Sequence, residues 1–530
     1  MTIASVNERF LRVMKMPINC NILYRIISKM KFELCYAILL FYILTIKWRM
    51  QKKTSMLRSF NRAPSPSIIE SVCLLRGNMK DCAAKQLKLL KEYKPPFVIW
   101  LFRTPMIVIG DKHDVQTVLK TTQESNTRRF FGGILNNNAS ISQNEIYHKV
   151  CQTIVSAFTP AMMQRYFPLL NQYSERLASK LEPHCDTAEA FNIGNYISSV
   201  TLDIITQNMT GYKLSSLENK NTKFFDAFFK LLKMETMRCT FPSPFPPVMF
   251  NTYLYLSGNL DKYEEIHRLS RKIVQNRLRE LSKRGRDHHY ENAYETVEGP
   301  ETLLDLLLQL KDDKHFTEKH IRVEVLNMIM MGYKSTFLTI SSVLLMLAAN
   351  LDAQEKVYEE IRTILGDDER KVQMEDIKDL VYMEQCINET LRKFPIIPTA
   401  TRRHNKDIEL NDKKIIPAGC QILVNFHSIH HDKRIFPNSD EWDPKHFAPN
   451  NISRIQRQIY PYGADPRSEI SAEYAMISVK IQLIHLLRRY RLSTSMKKRN
   501  IHFVLDLGLR NSSGYWLKLS SRSKNNPKHL

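Results

Sequence analysis

Pro461-Tyr-Gly-Ala-Asp-Pro-Arg-Ser-Glu469-Ile-Ser-Ala-Glu-Tyr-Ala-Met476 is the stretch on which the reading of this 530-residue chain turns. It closes a series of landmarks. Upstream, Glu389-Thr-Leu-Arg392 sits in an amphipathic segment, where a spacing of three puts carboxylate and guanidinium on one helix face for a charge-assisted pair. Alone, such a pair is a common surface feature. Here it is followed in order by Phe394-Pro395, Arg402-Arg403, Ile416-Pro-Ala-Gly419, Phe436-Pro437 and Trp442-Asp-Pro-Lys-His-Phe447. Six ordered landmarks over about sixty residues are hard to produce by chance.

Bulk properties narrow the class. The absence of linkers after residue 70 favours one large body despite the length, and only 15 glycines suit a helix-rich chain. The net charge of +23 is concentrated at the ends: residues 1–62 carry twelve Lys/Arg against Glu8 and Glu33, and residues 487–530 carry eleven against Asp506. Basic ends around a nearly neutral middle suit an anionic membrane surface or an acidic protein partner. A nucleic-acid groove would need a basic stripe on the body, so nucleic acid is not expected as a partner. The nine cysteines are odd in number, scattered and without a Cys-x-x-Cys pair, which argues against a disulfide framework or zinc site and for a reducing compartment.

Phe32 to Ile46 is an apolar run broken only by Glu33 and followed by Lys47, Trp48, Arg49, Lys52 and Lys53. Fifteen helical residues reach about 22 Å against roughly 30 Å of hydrocarbon, so spanning requires bilayer thinning or snorkelling flanks. No small-residue cleavage site follows, and the basic flank favours a retained anchor over a cleaved signal. Charge does not settle orientation, because six Lys/Arg lie on each side of the run within residues 1–62. Ala63-Pro-Ser-Pro-Ser67 reads as a stiff hinge, since each proline fixes φ and disfavours helix before it.

Beyond the hinge, apolar periodicity predicts helices over Glu145–Ala157, Phe224–Leu232, Tyr263–Lys283, His320–Ala349, Ala353–Leu365 and Met383–Phe394. Strands are expected at Ile408–Ile416, Gln421–Phe426 and Ile501–Leu507. The polar Arg284–Glu301 segment reads as a surface loop, with His288 and His289 solvated. There is no internal repeat, Gly-rich phosphate loop or Ser/His/Asp nucleophile signature.

The quoted stretch resembles the signature loop of cytochrome P-450, commonly Pro-Phe-Ser-Ala-Gly-Pro-Arg-Asn-Cys-Ile-Gly-Gln-x-Phe-Ala-Met, with Pro461, Ala464, Pro466, Arg467, Ile470, Ala475 and Met476 in place. The upstream landmarks are similar to the family's Glu-x-x-Arg helix, the strands after it and its Pro-x-Arg-Phe segment. The helix Glu324-Val-Leu-Asn-Met-Ile-Met-Met-Gly-Tyr-Lys-Ser-Thr336 aligns with the microsomal family-4 pattern Glu-Val-Asp-Thr-Phe-Met-Phe-Glu-Gly-His-Asp-Thr-Thr. The resemblance implies a mainly α fold with a minor β region. It also implies a haem, electrons from an NADPH-dependent reductase, and oxidation of a lipophilic substrate of the fatty acid, hormone or xenobiotic class. The body, residues 70–530, would face the cytosol at the endoplasmic reticulum membrane, behind a basic extension (1–31), an anchor (32–48) and a basic, proline-bearing hinge (49–69).

Carried over residue by residue, the resemblance makes Ser335 and Thr336 the proton relay, with Gly332 leaving room for dioxygen. Arg467, Tyr147 and one of Arg402 or Arg403 become haem-propionate partners, and Glu389 with Arg392 the structural pair. The departures fall on the site itself. Glu469 holds the position of the axial cysteine, Lys334 that of the relay acid, Met331 that of the haem-linking glutamate and Cys151 that of the propionate arginine. His446 stands for the network's second arginine, and Ser471 adds a Cβ where the family has glycine. A thiolate pushes electron density onto iron and favours O–O cleavage; a carboxylate is a harder donor with weaker push. Two readings follow: a haem monooxygenase by descent, or a non-catalytic member that binds a lipophile or a protein partner.

Overall fold

The structure is a computed structural model describing residues 60, 88, 92–101, 104–121, 124–125, 145–218, 222–240, 258, 260–287, 301–312, 316–366, 370–455, 459–464, 466–496, 503–505 and 509–522. The expected anchor at 32–48, the Ala63–Ser67 hinge, and His288 and His289 lie outside these residues.

The helices before the centre of the chain are α1 (Lys112–Thr121), α2 (Glu145–Ser156), α3 (Pro160–Leu181), α4 (Gly194–Thr210), α5 (Thr222–Thr240), α6 (Leu260–Asp287) and α7 (Leu303–Leu308). After them come α8 (Glu318–Ala348), α9 (Leu351–Leu365), α10 (Asp376–Asp379), α11 (Val381–Lys393), α12 (Phe426–His430), α13 (Pro449–Ile455) and α14 (Pro466–Arg489). Helix α8 is the axis of the molecule. Thr317 opens it in an extended conformation, its N–H donating to His320 Nδ1 at 3.0 Å, which satisfies one of the donors a helix start leaves over. By length and composition α8 could cross a membrane, but 83% of its most apolar window is buried in the body, as expected of a core helix that is apolar all round. Helices α4 and α14 pack along it, and α3 packs behind both.

The minor β region holds a sheet in the order β1-β2-β8-β5-β3: β1 (Phe97–Leu101), β2 (Thr104–Ile109), β3 (Glu124–Ser125), β5 (Thr399–Arg403) and β8 (Gln421–Asn425). Strands β2 and β8 run parallel and the other pairs antiparallel. Strand alternation divides the β1/β2 side chains. Val98, Ile107 and Ile109 join a core with Ile422, Val424 and Phe426, while Phe97, Ile99, Met106 and Val108 form another on the opposite face. A second sheet orders β4 (Phe191–Asn192), β12 (Trp516–Ser521) and β9 (Tyr490–Ser493); β10 (Phe503–Leu505) and β11 (Leu509–Asn511) pair separately.

Three expectations change. Ile408–Ile416 is not one strand but a hairpin of β6 (Ile408–Glu409) and β7 (Ile415–Ile416), turned by Lys413 in the left-handed region and by Lys414 N–H donating to Asp412 Oδ1. Phe426 leaves β8 because the Asn425 side chain accepts from Ser428 N–H and starts α12. Helix α6 runs to Asp287, into the segment read as a loop from Arg284. The helices predicted from periodicity are all present, with ends displaced by a few residues; α5 and α6 extend furthest beyond prediction.

Candidate active site

The signature stretch enters the body as a pinned loop and leaves it as α14. Gly463 adopts φ +83°, and a Cβ built there would lie 3.3 Å from Ile397 Cγ2, so both backbone and space favour glycine. Ile397 N–H donates to Pro461 O at 3.1 Å, tying the loop to the chain after α11. Tyr460 N–H donates to Nε2 of the fully buried His430 at 2.9 Å and stacks on Phe426. That bond fixes the neutral tautomer of His430 with its proton on Nδ1; burial pushes its pKa down to about 3.

Sequence left Arg402 and Arg403 as alternatives, and strand alternation separates them. Arg402 is 4% exposed and donates to Ala464 O at 3.1 Å, whereas Arg403 faces solvent. Tyr462, also buried, reaches Thr339 Oγ1 of α8 at 3.4 Å. Thr339 already donates its hydroxyl hydrogen to Ser335 O at 2.7 Å, so the phenol is the donor; burial pushes its pKa up to about 12. Arg467 and Glu469 lie in the first turn of α14; their side chains, and those of Tyr147 on α2 and Ser471, are outside the described residues. Further along α14, Tyr474 accepts from Asn208 Nδ2 of α4 at 2.9 Å.

On α8, Ser335 donates to Gly332 O at 3.1 Å, within its own helix. Thr336 is 2% exposed, and its hydroxyl has no hydrogen-bond partner among the described residues. Met331 and Lys334, one turn apart, are partly exposed along an otherwise buried stretch. Gly332 also meets a packing need that the sequence did not announce. A Cβ there would come 2.5 Å from Ile205 Cδ1 and 2.7 Å from its Cγ1, so this glycine makes room for α4. Its neighbour Tyr333 points the same way, bonded to Ser198 at 2.9 Å and packed edge-on to Phe228 and Phe229. Cys151 is half-buried on α2.

Glu389 and Arg392 of α11 are both fully buried and joined by two 2.8 Å bonds. The rest of the guanidinium donates to three carbonyls: His430 at 2.8 Å, and Ser439 and Glu441 at 2.9 Å. It also lies over the Phe436 ring. Glu389 Oε1 in turn accepts from Asp443 N–H at 2.9 Å and lies 3.2 Å from His446 Nδ1. One buried pair therefore holds α11, the end of α12 and the 436–447 segment together.

The cytochrome P450 family profile matches residues 65–517. This chain belongs to the cytochrome P450 family. It is 24% identical to human (Homo sapiens) cytochrome P450 4V2 over 475 residues, covering 86% of this chain and 88% of that protein. It is 25% identical to cytochrome P450 4c3 of Drosophila melanogaster, with 80% and 81% of the two chains covered. It is 26% identical to lithocholate 6-beta-hydroxylase of Mesocricetus auratus, with 82% and 86% covered. The first two relatives agree with the family-4 character of the α8 sequence.

The family implies a haem, and the donor set here does not fit one held by a thiolate. At the position that the resemblance gives to the axial cysteine the sequence has Glu469, in the first turn of α14. Among the described cysteines, Cys386 is buried in α11, Cys420 precedes β8, Cys185 bridges to Leu519 and Cys151 lies on α2, so none belongs to the 460–476 stretch. On α8, Lys334 stands where the aligned family pattern has an acid.

Sequence reasoning passed over two residues that organise this region, His430 and Tyr462. The run His427-x-x-His430-His431 and the phenol in place of the family's phenylalanine were the available signals.

Proposed function

We propose that this protein descends from lipophile-oxidising haem monooxygenases, has lost thiolate-driven oxygen activation, and uses the retained fold to bind a lipophilic molecule without oxidising it. The observation that carries this reading is the donor set: Glu469 for the thiolate, with Lys334, Met331 and Cys151 at the other altered site positions, inside an otherwise intact scaffold. Carboxylate oxygen gives iron little of the electronic push that splits dioxygen, and a lysine does not take the acid's part in the same geometry. The lithocholate hydroxylase among the relatives supports a lipophilic ligand class. We further place the body, 70–530, on the cytosolic side of the endoplasmic reticulum membrane, behind the 32–48 anchor.

A second reading keeps activity: a haem monooxygenase fed by an NADPH-dependent reductase, with Ser335 and Thr336 as relay and Arg467, Tyr147, Arg402 and Arg403 around the haem. The bond from Arg402 to the loop and the Thr336 hydroxyl, without a partner among the described residues, favour it. One experiment divides the two. The full chain in detergent is titrated with a panel of fluorescent fatty acids and sterols, then incubated with reductase, NADPH and the ligand that binds. Binding without oxidised product supports the first reading; product above the reductase-only background supports the second.

A further inference from the structure

His446 has two acceptors and no donor to meet. Its Nδ1 lies 3.2 Å from Glu389 Oε1 and its Nε2 2.6 Å from Pro437 O. A neutral imidazole carries one N–H and can satisfy only one of them; the imidazolium satisfies both. The groups facing it are Glu389 and Arg392 from α11 and, on its own segment, Glu441, Asp443 and Lys445, with the Phe436 ring edge-on as a third wall. Among the described residues of α13, Asn451 is the polar neighbour. Arg392 is spoken for by Glu389 and three carbonyls, and the Glu389 oxygen turned to His446, Oε1, also accepts from Arg392 Nη2 at 2.8 Å and from Asp443 N–H at 2.9 Å, so the ring shares an oxygen that already ties α11 to the 436–447 segment. A surface cavity of about 290 Å³, lined by Pro437, Asn438, Glu441, Asp443, Lys445 and His446 together with Asn451, brings water to the ring, so a proton can come and go.

What the ring holds reaches the signature loop. Glu389 orients Arg392, Arg392 gathers the carbonyls of His430, Ser439 and Glu441, and His430 Nε2 takes the N–H of Tyr460. We propose that the His446–Glu389 contact is a proton-operated clasp: closed at acidic to neutral pH, it holds the 436–447 segment and, through Arg392 and His430, the 459–464 loop, and it releases them on the alkaline side. The direction follows from linkage. Bonding to Glu389, then the lesser pull of Pro437 O, raises the folded pKa above 6.5. The clasp's contribution is therefore fully present below the unfolded value and lost as pH rises through the folded one. A permanent guanidinium at this position would carry no such dependence. The device does not depend on whether haem is held.

The test is hydrogen exchange by mass spectrometry on the full chain in detergent from pH 6 to 9, corrected for intrinsic exchange. Peptides covering 433–451 and 459–464 open more as pH rises, by roughly ten- to a hundredfold, the equilibrium factor carried by one hydrogen bond to a charged group, while α9 peptides do not. His446→Arg removes this dependence, and His446→Gln shows the high-pH level throughout. Equal pH dependence in wild type and His446→Arg overturns the clasp. Should that variant not fold, the wild type decides alone: uniform opening of all peptides, or none, contradicts it.

Discussion

Gly332 offers the sharpest test of how the central helix is used, because sequence and structure assign it different duties. Gly332→Ala places a methyl 2.5 Å from Ile205 Cδ1, closer than carbon atoms approach without displacement. Two terms oppose each other. Alanine gains about 1 kcal/mol over glycine in a helix interior, and overpacking a dense core costs about 1–3 kcal/mol. The single variant is therefore only mildly destabilised, and its sign is uninformative. Ile205→Ala alone costs about 2–5 kcal/mol, since Ile205 is buried and leaves a cavity. In the double variant the clash is gone and the methyl added by Gly332→Ala occupies part of that cavity. The pair is thus less destabilised than the sum of the singles, by about 1–3 kcal/mol, a difference from which helix propensity cancels. Urea unfolding followed by circular dichroism, with equal m values across the four proteins, measures it. Additivity within about 0.5 kcal/mol would refute the packing role and return the glycine to the ligand side of the helix.

Three further outcomes follow from the loop and its supports. Glu389→Gln removes the charge that pairs with a fully buried Arg392 and lowers stability by about 3–5 kcal/mol, read as a shift in the urea midpoint. Arg402→Ala loses the bond to Ala464 O and costs about 1–3 kcal/mol, whereas the exposed Arg403→Ala stays within about 0.5 kcal/mol; the reverse order would mean that the strand faces the other way. Tyr462→Phe gives up one long bond and strands no donor, because Thr339 keeps its own bond to Ser335 O, so thermal unfolding reports a loss of only about 0.5–1.5 kcal/mol.

Where the sequence was readable, one signal governed. Spacing of three announced the Glu389/Arg392 pair, apolar periodicity announced α9 and α11, and a long apolar run announced α8. Spacing does not reveal that Arg392 would collect carbonyls from 38 to 49 residues further on, because that depends on how the chain returns. Helix α4 went unread for a different reason. Ser198, Thr201, Thr206 and Asn208 are buried in it alongside Ile197 and Val200, which erases the polar stripe that marks an amphipathic helix. The strands Phe97–Leu101 and Thr104–Ile109 are short apolar runs whose period alone does not separate strand from buried helix. The packing role of Gly332 was not legible because a glycine is silent about which side of its helix needs the space, and only the position of Ile205 answers that.

The loss of the sulfur donor is tested most directly by the carbon monoxide difference spectrum of the reduced, purified full chain, with haem quantified on the same sample. The account predicts that any haem retained shows no thiolate-type Soret band, and that Glu469→Cys shifts the spectrum toward that type. Stoichiometric haem with a thiolate-type band in the unaltered protein would contradict it.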